Sequence, residues 1–207
     1  MMTDDKRHAP ATLRNRQPLL EALRPRLPET GLLLEIASGS GEHALFLAAN
    51  LPGLIIQPSD PDGAARASIR AWAAEAALPN LRPPLAINAT QPDKWSDEWP
   101  GSAAPDAILC VNMIHIAPWQ AAIGLFTGAG RLLSPGAPLL LYGPYRRDGR
   151  HTADSNAAFD ADLRARNPAW GVRDLETVAE LADSQGFGAP DIIQMPANNL
   201  TLCFRRR

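Results

Sequence analysis

Two carboxylates, Glu35 and Asp60, bracket a turn rich in glycine and serine, and their positions are the first place in this chain where chemistry can be sought. Glu35 sits inside the apolar run Leu32-Leu33-Leu34-Glu35-Ile36, which then breaks into Ala37-Ser38-Gly39-Ser40-Gly41. A carboxylate inside a covered strand is costly unless it has a function or a partner. Its bland alternative is a strand-edge Glu reaching solvent or a nearby Arg. Asp60 closes a second apolar run, Leu54 to Asp60, at about the interval from the first strand at which an acidic residue takes the two hydroxyls of a ribose. The competing role is to cap the helix that opens at Pro61. Between the two, the glycines let the backbone approach a ligand without a Cβ in the way, and the start of the next helix offers free N–H groups.

The elements that must position these groups follow from the pattern. The apolar run, the Gly turn and the helical spacing of Ala44, Leu45, Leu47, Ala48 and Leu51 make the first half of a βαβ unit, with its turn where nucleotide-like cofactors bind. Two motifs overlap there. Gly39-Ser40-Gly41-Glu42-His43-Ala44 fits the dinucleotide pattern G-x-G-x-x-A. Read from Glu35, the stretch fits an acidic-x-G-x-G-x-G loop that holds S-adenosylmethionine (SAM), with Ala37 in place of the first Gly. Glu35 favours the second reading, because SAM carries an ammonium group that an acidic residue would receive, whereas a dinucleotide gives the carboxylate no task. Asp60 would serve either ligand.

Leu13 to Leu27 reads as a helix whose end is frayed by Pro25 and Pro28, preceded by a segment, residues 1–12, expected to be flexible or lid-like. After the Ala-rich helix Pro61–Leu78 comes a weak third strand, Pro83–Asn88, whose polar tip Asn88 can meet an adenine amino group or simply form a turn. Trp95 and Trp99 are read as buried. The fourth strand, Asp106–Val111, runs into Asn112-Met113-Ile114-His115-Ile116 at the ligand-binding end of the sheet. His115 there is either a general base or a structural histidine. The fifth strand, Pro138–Tyr142, leads into residues 143–151, read as a specificity loop in which Tyr145 orients and His151 is a second candidate base. Two further helices are expected, one capped near Asp154 or Ser155 with Phe159 and Leu163 inward, one capped at Asp174. Asp191–Met195 and Asn198–Phe204 must form an antiparallel hairpin. The expectation is an α/β, Rossmann-like, doubly wound sheet of seven strands, mostly parallel, with a C-terminal antiparallel hairpin.

At 207 residues and 45% hydrophobic, the chain is expected to form one domain, residues 1–207. A net charge of -2 gives no reason to expect nucleic acid or a membrane surface as partner. Cys110 and Cys203 are isolated, without metal-ligand spacing, so no metal is expected. With no apolar run of membrane-spanning length and no leader pattern, a cytoplasmic location is the expectation.

An ordered set of motifs resembles the Class I SAM-dependent methyltransferases, and within them the uncharacterised group called domain of unknown function 938. It comprises His8-Ala9-Pro10 with Arg14-Asn15-Arg16, Leu34 to His43, Gln57-Pro58-Ser59-Asp60, Asn112 to Ile116, Tyr142-Gly143-Pro144-Tyr145, Ser155-Asn156, Phe159-Asp160, and Asn167-Pro168 with Trp170-Gly171 and Arg173-Asp174. The resemblance implies that Glu35, Ala37 and Gly39, in the turn with Ser38 and Gly41, border the methionyl part of SAM. It also implies Asp60 at the ribose, Asn88 at the adenine, Asn112 and Met113 lining the crevice, and Arg14 and Asn15 closing it. No Asp/Asn-Pro-Pro-aromatic motif follows the fourth strand, which argues against enzymes that methylate adenine bases or glutamine side chains. The function implied is methyl transfer from SAM to a small-molecule acceptor, with S-adenosylhomocysteine (SAH) as product. An NAD(P)-dependent oxidoreductase and a non-catalytic protein-binding module of the same fold are the alternatives.

Overall fold

A computed structural model describes residues 5–99 and 104–207. Of the segment expected to be flexible or lid-like, residues 1–4 lie outside the described residues. The strands are β1 (Gly31–Ile36), β2 (Leu54–Ser59), β3 (Ala107–Val111), β4 (Pro138–Arg147), β5 (Arg150–His151), β6 (Arg173–Asp174), β7 (Asp191–Met195) and β8 (Asn199–Arg205). The α-helices are α1 (Pro10–Leu23), α2 (Glu42–Asn50), α3 (Gly63–Ala76), α4 (Trp95–Glu98), α5 (Trp119–Leu132), α6 (Asp154–Arg166) and α7 (Leu175–Ser184). The body of the sheet has the order β2-β1-β3-β4-β8-β7, with the two-residue β5 and β6 pairing to the end of β4. The first four strands run parallel, and β8 enters antiparallel between β4 and β7. The C-terminal hairpin therefore forms as its short Pro196–Asn198 connection requires.

Side-chain alternation sends each central strand into two cores. Leu34, Ile36, Ile108, Cys110, Leu139 and Leu141 pack against α5 and α7. Leu33, Leu109, Leu140 and Tyr142 pack on the opposite face against α1 and α2. Being covered on both sides, β1 is a nearly unbroken apolar run, as central parallel strands are.

The sheet has eight strands among the described residues where seven were expected, because the end of β4 pairs with the short β5 and β6. Four local expectations also change. The third strand over 83–88 does not form. Leu81 and Leu85 make isolated parallel bridges to Ile56 and Ser59, so the segment flanks β2 at the sheet edge, but Pro83 and Pro84 have no N–H to give a ladder. The loop expected at 143–151 is instead the continuation of β4, which turns at Asp148-Gly149 and returns as β5. Both turn residues have positive φ, 50° and 71°, the geometry of a two-residue hairpin. The helix α1 starts at Pro10, not Leu13, and ends at Leu23, ahead of Pro25. Ala153, not Asp154 or Ser155, is the N-cap position of α6, and no side chain caps it.

Candidate cofactor turn and acceptor cleft

At the carboxyl end of β1 the chain is forced through three left-handed residues: Ala37 (φ 57°), Gly39 (φ 57°) and Gly41 (φ 89°). The two glycines serve different ends. A Cβ at Gly41 would lie 2.8 Å from Ile69 Cγ1, so this glycine lets the turn press on α3. A Cβ at Gly39 would meet nothing within 4 Å, so this one faces open space. Ser38 and Ser59 stitch the turn to β2. Ser38 N–H donates to Ser59 O at 2.8 Å, Ser59 N–H to Ser38 Oγ at 3.1 Å, and Ser59 Oγ to Glu35 O at 2.7 Å.

Asp60 is 8% exposed and does not cap α3, a task taken by Asp62, whose carboxylate accepts from the Ala64 and Ala65 N–H groups. Asp60 instead accepts from Gly39 N–H at 2.9 Å through Oδ2 and from Asp62 N–H at 2.9 Å through Oδ1. It thus ties the Gly turn to the end of β2. Burial raises its pKa, with the hydrogen bonds from Asp62 and Gly39 opposing.

Glu35 lies beneath this turn, 1% exposed, and its Oε2 has no hydrogen-bond partner among the described residues. Burial pushes its pKa up to about 7, a hydrogen bond from Ser38 opposes, and the nearby Asp60 charge adds to the rise. The strand-edge alternative is thereby removed: this carboxylate is closed off from solvent and pairs with no arginine among the described residues.

Residues 5–9 cross the mouth of the turn. Ala9 N–H donates to Glu42 Oε2 at 2.6 Å, Arg7 N–H to Ser68 Oγ at 2.8 Å, and Trp72 Nε1 to Arg7 O at 3.2 Å. Ser68 Oγ in turn donates to Ser40 O at 2.7 Å, so the strap, α3 and the turn are one hydrogen-bonded unit.

Beside the turn opens a cleft of about 630 Å³. Its walls are Ala11, Arg14 and Asn15 from α1, Asn112, Tyr142 and Pro144 from the ends of β3 and β4, Ser155, Asn156 and Phe159 from α6, and Pro196, Ala197 and Asn199 from the C-terminal hairpin. Arg14, Asn15 and Asn112 therefore gather in the cleft, while Glu35, Ala37, Ser38, Gly39, Gly41 and Asp60 gather at the turn. Asn112 is held in the left-handed region (φ 60°) where β3 ends. Met113 is buried in the core behind it. Asn88 lies elsewhere, its Oδ1 accepting from the Thr90 N–H and hydroxyl at 2.9 Å, on the wall of a separate hollow of about 70 Å³.

The three candidate catalytic residues do not line the cleft. His115 and Tyr145 are both 0% exposed and stack edge to face at 5.0 Å. The imidazole fills the space a Gly143 side chain would occupy, where a Cβ would fall 2.5 Å from Nε2. Neither His115 nitrogen has a partner among the described residues, and burial, with the Arg173 charge, pushes its pKa down to about 3. Burial also pushes the Tyr145 phenol up. His115 is thus held as a neutral packing group, and a proton acceptor must touch its donor. His151 Nε2 lies 3.4 Å from Asp160 Oδ2, in a cluster where Asp160 also takes Val172 N–H and Arg164. Among the described residues no group of three His, Cys, Asp or Glu is placed to hold a metal ion, and no helix is long and apolar enough to cross a membrane.

The cleft contains residues that pattern reading assigned to no site. Phe159, expected inward, is 38% exposed at the cleft wall, while Leu163 does point into the core. Tyr142 and Asn199 reach it from the sheet. The signal for Tyr142, Ser155, Asn156 and Phe159 lies in their place among the family-like motifs, since local periodicity carries none.

Solved structures match this fold. An O-methyltransferase family protein from Burkholderia thailandensis superposes with a TM-score of 0.78 at 18% identity, covering 95% of this chain and 57% of that one. The S-adenosylmethionine-dependent methyltransferase SibL, in its apo form, gives 0.76 at 19% identity, covering 95% and 55%. CalO1, a methyltransferase in calicheamicin biosynthesis in SAH-bound form, gives 0.74 at 14% identity, covering 95% and 55%. The chain thus spans little more than half the length of these proteins, and at such identities the likeness establishes the fold of the SAM-dependent methyltransferases. A family profile described as "Protein of unknown function (DUF938)" matches residues 6–206, and the chain belongs to that family.

Proposed function

We propose that this protein binds SAM at the Gly turn and transfers its methyl group to a small acceptor in the adjoining cleft. The observation that carries the reading is the partnerless oxygen of Glu35, buried beneath a turn whose Gly39 faces open space. Such an oxygen is costly until an ammonium or other donor reaches it, and SAM brings one in its amino-acid part. Asp60 retains lone pairs for the ribose hydroxyls, and Ala37, Ser38 and Gly41 shape the path between. Asn88 is assigned to the adenine, and Met113 to the crevice, on the family resemblance. The names of the structural neighbours support the same ligand and an oxygen acceptor.

When bound, SAM supplies an electrophilic methyl group on a sulfonium. The protein's part is alignment and exclusion of water. The strap of residues 5–9, locked to α3, holds the turn closed, and Asn112, fixed by its N–H bond to Tyr142 O at 2.8 Å, stands between turn and cleft. The test is SAH formation from methyl-labelled SAM in the presence of the small-molecule fraction of a cell extract. Label transfer by the wild type, absent in Asp60→Ala, is the expected result. SAM left unconsumed, together with retained NAD in the purified protein, would overturn the proposal in favour of an oxidoreductase.

A further inference from the structure

We propose that the methyl acceptor is a small carboxylate, received by Arg14 and the Tyr142 hydroxyl and methylated on a carboxylate oxygen. The inference rests on the cofactor reading above and deepens it. Its first support is the charge inventory of the cleft. Among the described residues Arg14 is the one charged side chain lining it, and no carboxylate or imidazole does so. Among those residues, too, no hydrogen bond or ion pair engages the Arg14 guanidinium, whereas Arg7, Arg146, Arg164 and Arg173 are all committed elsewhere.

The second support is the set of donors left to the cleft. His43 is half-buried, its pKa pushed down to about 4 chiefly by burial, and its Nε2 meets Asn15 Oδ1 at 2.9 Å, an oxygen that can only accept. Asn15 lines the cleft together with Tyr142, and its amide opposes the rise that burial gives the Tyr142 phenol. Among the described residues no protein acceptor takes the Tyr142 O–H, so the hydroxyl remains a donor for the cleft it lines. Burial keeps that phenol protonated. The cleft therefore presents a guanidinium and a hydroxyl donor, a pattern for an oxyanion. Two of the lining amides are spent on the protein itself: Asn156 Nδ2 donates to Asn198 O and Thr152 Oγ1, and Asn199 Nδ2 to Pro196 O and Ala197 O. Phe159 and Pro144 add an apolar wall suited to the body of the acceptor.

The third support is the chemistry of the lining. An alcohol or ammonium acceptor must lose a proton, and no described lining residue can take one; His115 and Tyr145 are sealed away. A carboxylate arrives already deprotonated at neutral pH. In the transfer, the carbon–sulfur bond breaks with its electron pair left on sulfur. A carbon–oxygen bond forms from a carboxylate lone pair. The sulfonium and carboxylate charges cancel, and no proton moves. Arg14 and Asn15, which the family resemblance links to the cofactor, are thereby assigned to the acceptor.

The experiment has two readouts. First, small molecules methylated from labelled SAM in an extract are treated with mild alkali. Methyl esters release volatile labelled methanol, whereas ethers and methylamines do not. Release of most of the label is expected; label that survives alkali, or no transfer by protein that still binds SAH, overturns the proposal. Second, Arg14→Gln and Arg14→Lys are titrated with SAH and assayed against a carboxylic acid from the labelled fraction. The expected pattern is an SAH Kd within about twofold of wild type, an acceptor KM raised about 10- to 100-fold in the Gln variant, and partial recovery in the Lys variant. A roughly tenfold loss of SAH affinity in Arg14→Gln would place this arginine on the cofactor and refute the assignment. Failure of the wild type to bind SAH would instead refute the cofactor reading itself.

Discussion

Glu35→Gln separates the cofactor reading from a merely structural one through the pH dependence of stability. In the folded protein Glu35 titrates at about 7, against 4.5 for an unperturbed glutamate, chiefly because it is buried. Between those two values the folded state holds a proton that the unfolded state has released. Stability therefore falls as pH rises through this window, and the loss is complete above about pH 7 and absent below 4.5. At about 1.4 kcal/mol per pH unit, the displacement corresponds to roughly 3 kcal/mol, a sizeable share of the roughly 5–15 kcal/mol available to a domain. The amide that replaces the carboxyl group in the variant cannot ionise. Urea denaturation of both proteins from about pH 4 to about pH 8 should therefore give curves that diverge by roughly 3 kcal/mol as pH rises. The comparison cancels other titrating groups, including His43, and a constant offset from the amide does not alter the divergence. Saturating SAH should abolish most of it in the wild type by supplying an ammonium partner. Parallel curves over the whole range would refute the buried, partnerless Glu35 on which the proposal stands.

The two turn glycines should respond differently. Gly41→Ala meets Ile69 in a left-handed conformation and should cost roughly 2–4 kcal/mol, read as a fall in Tm. Gly39→Ala carries only the backbone strain, about 1 kcal/mol, yet should abolish SAH binding, because its methyl projects into the open space above the turn. His115→Leu removes a group that must stay neutral when folded. Because its folded pKa of about 3 lies below the unfolded 6.5, wild-type stability is lost as pH falls from 6.5 towards 3. The variant should gain roughly 5 kcal/mol relative to wild type at the acid end, and the pH profile of methyl transfer should keep its shape. A profile displaced by the mutation would restore His115 as a base.

Local chemistry made part of this molecule legible in its sequence. A lone carboxylate in an apolar strand, followed by a glycine turn, marks a ligand site because a covered strand tolerates such a residue at a cost. The terminal hairpin follows from the brevity of Pro196–Asn198. Where reading failed, a specific rule was outweighed or overlooked. Pro83-Pro84 denied a strand to a segment whose position beside β2 is otherwise as expected. Asp148-Gly149 is a hairpin turn in plain view, yet the arginines around it suggested a loop. Asp60 and Asp62 are two residues apart, and only geometry shows which caps the helix and which binds the turn. The cleft was the least legible part, because α1, α6 and the C-terminal hairpin meet there from distant stretches of chain. The partnering of Asn15 with His43 at the edge of the cleft leaves no trace in periodicity.

The most direct test of the central claim is calorimetric titration of the purified protein with SAH, with NAD as control and Asp60→Ala as comparison. The account predicts micromolar SAH binding to the wild type, no heat from NAD, and loss of SAH binding in the variant. Heat from NAD, or a wild type silent to SAH, would contradict it.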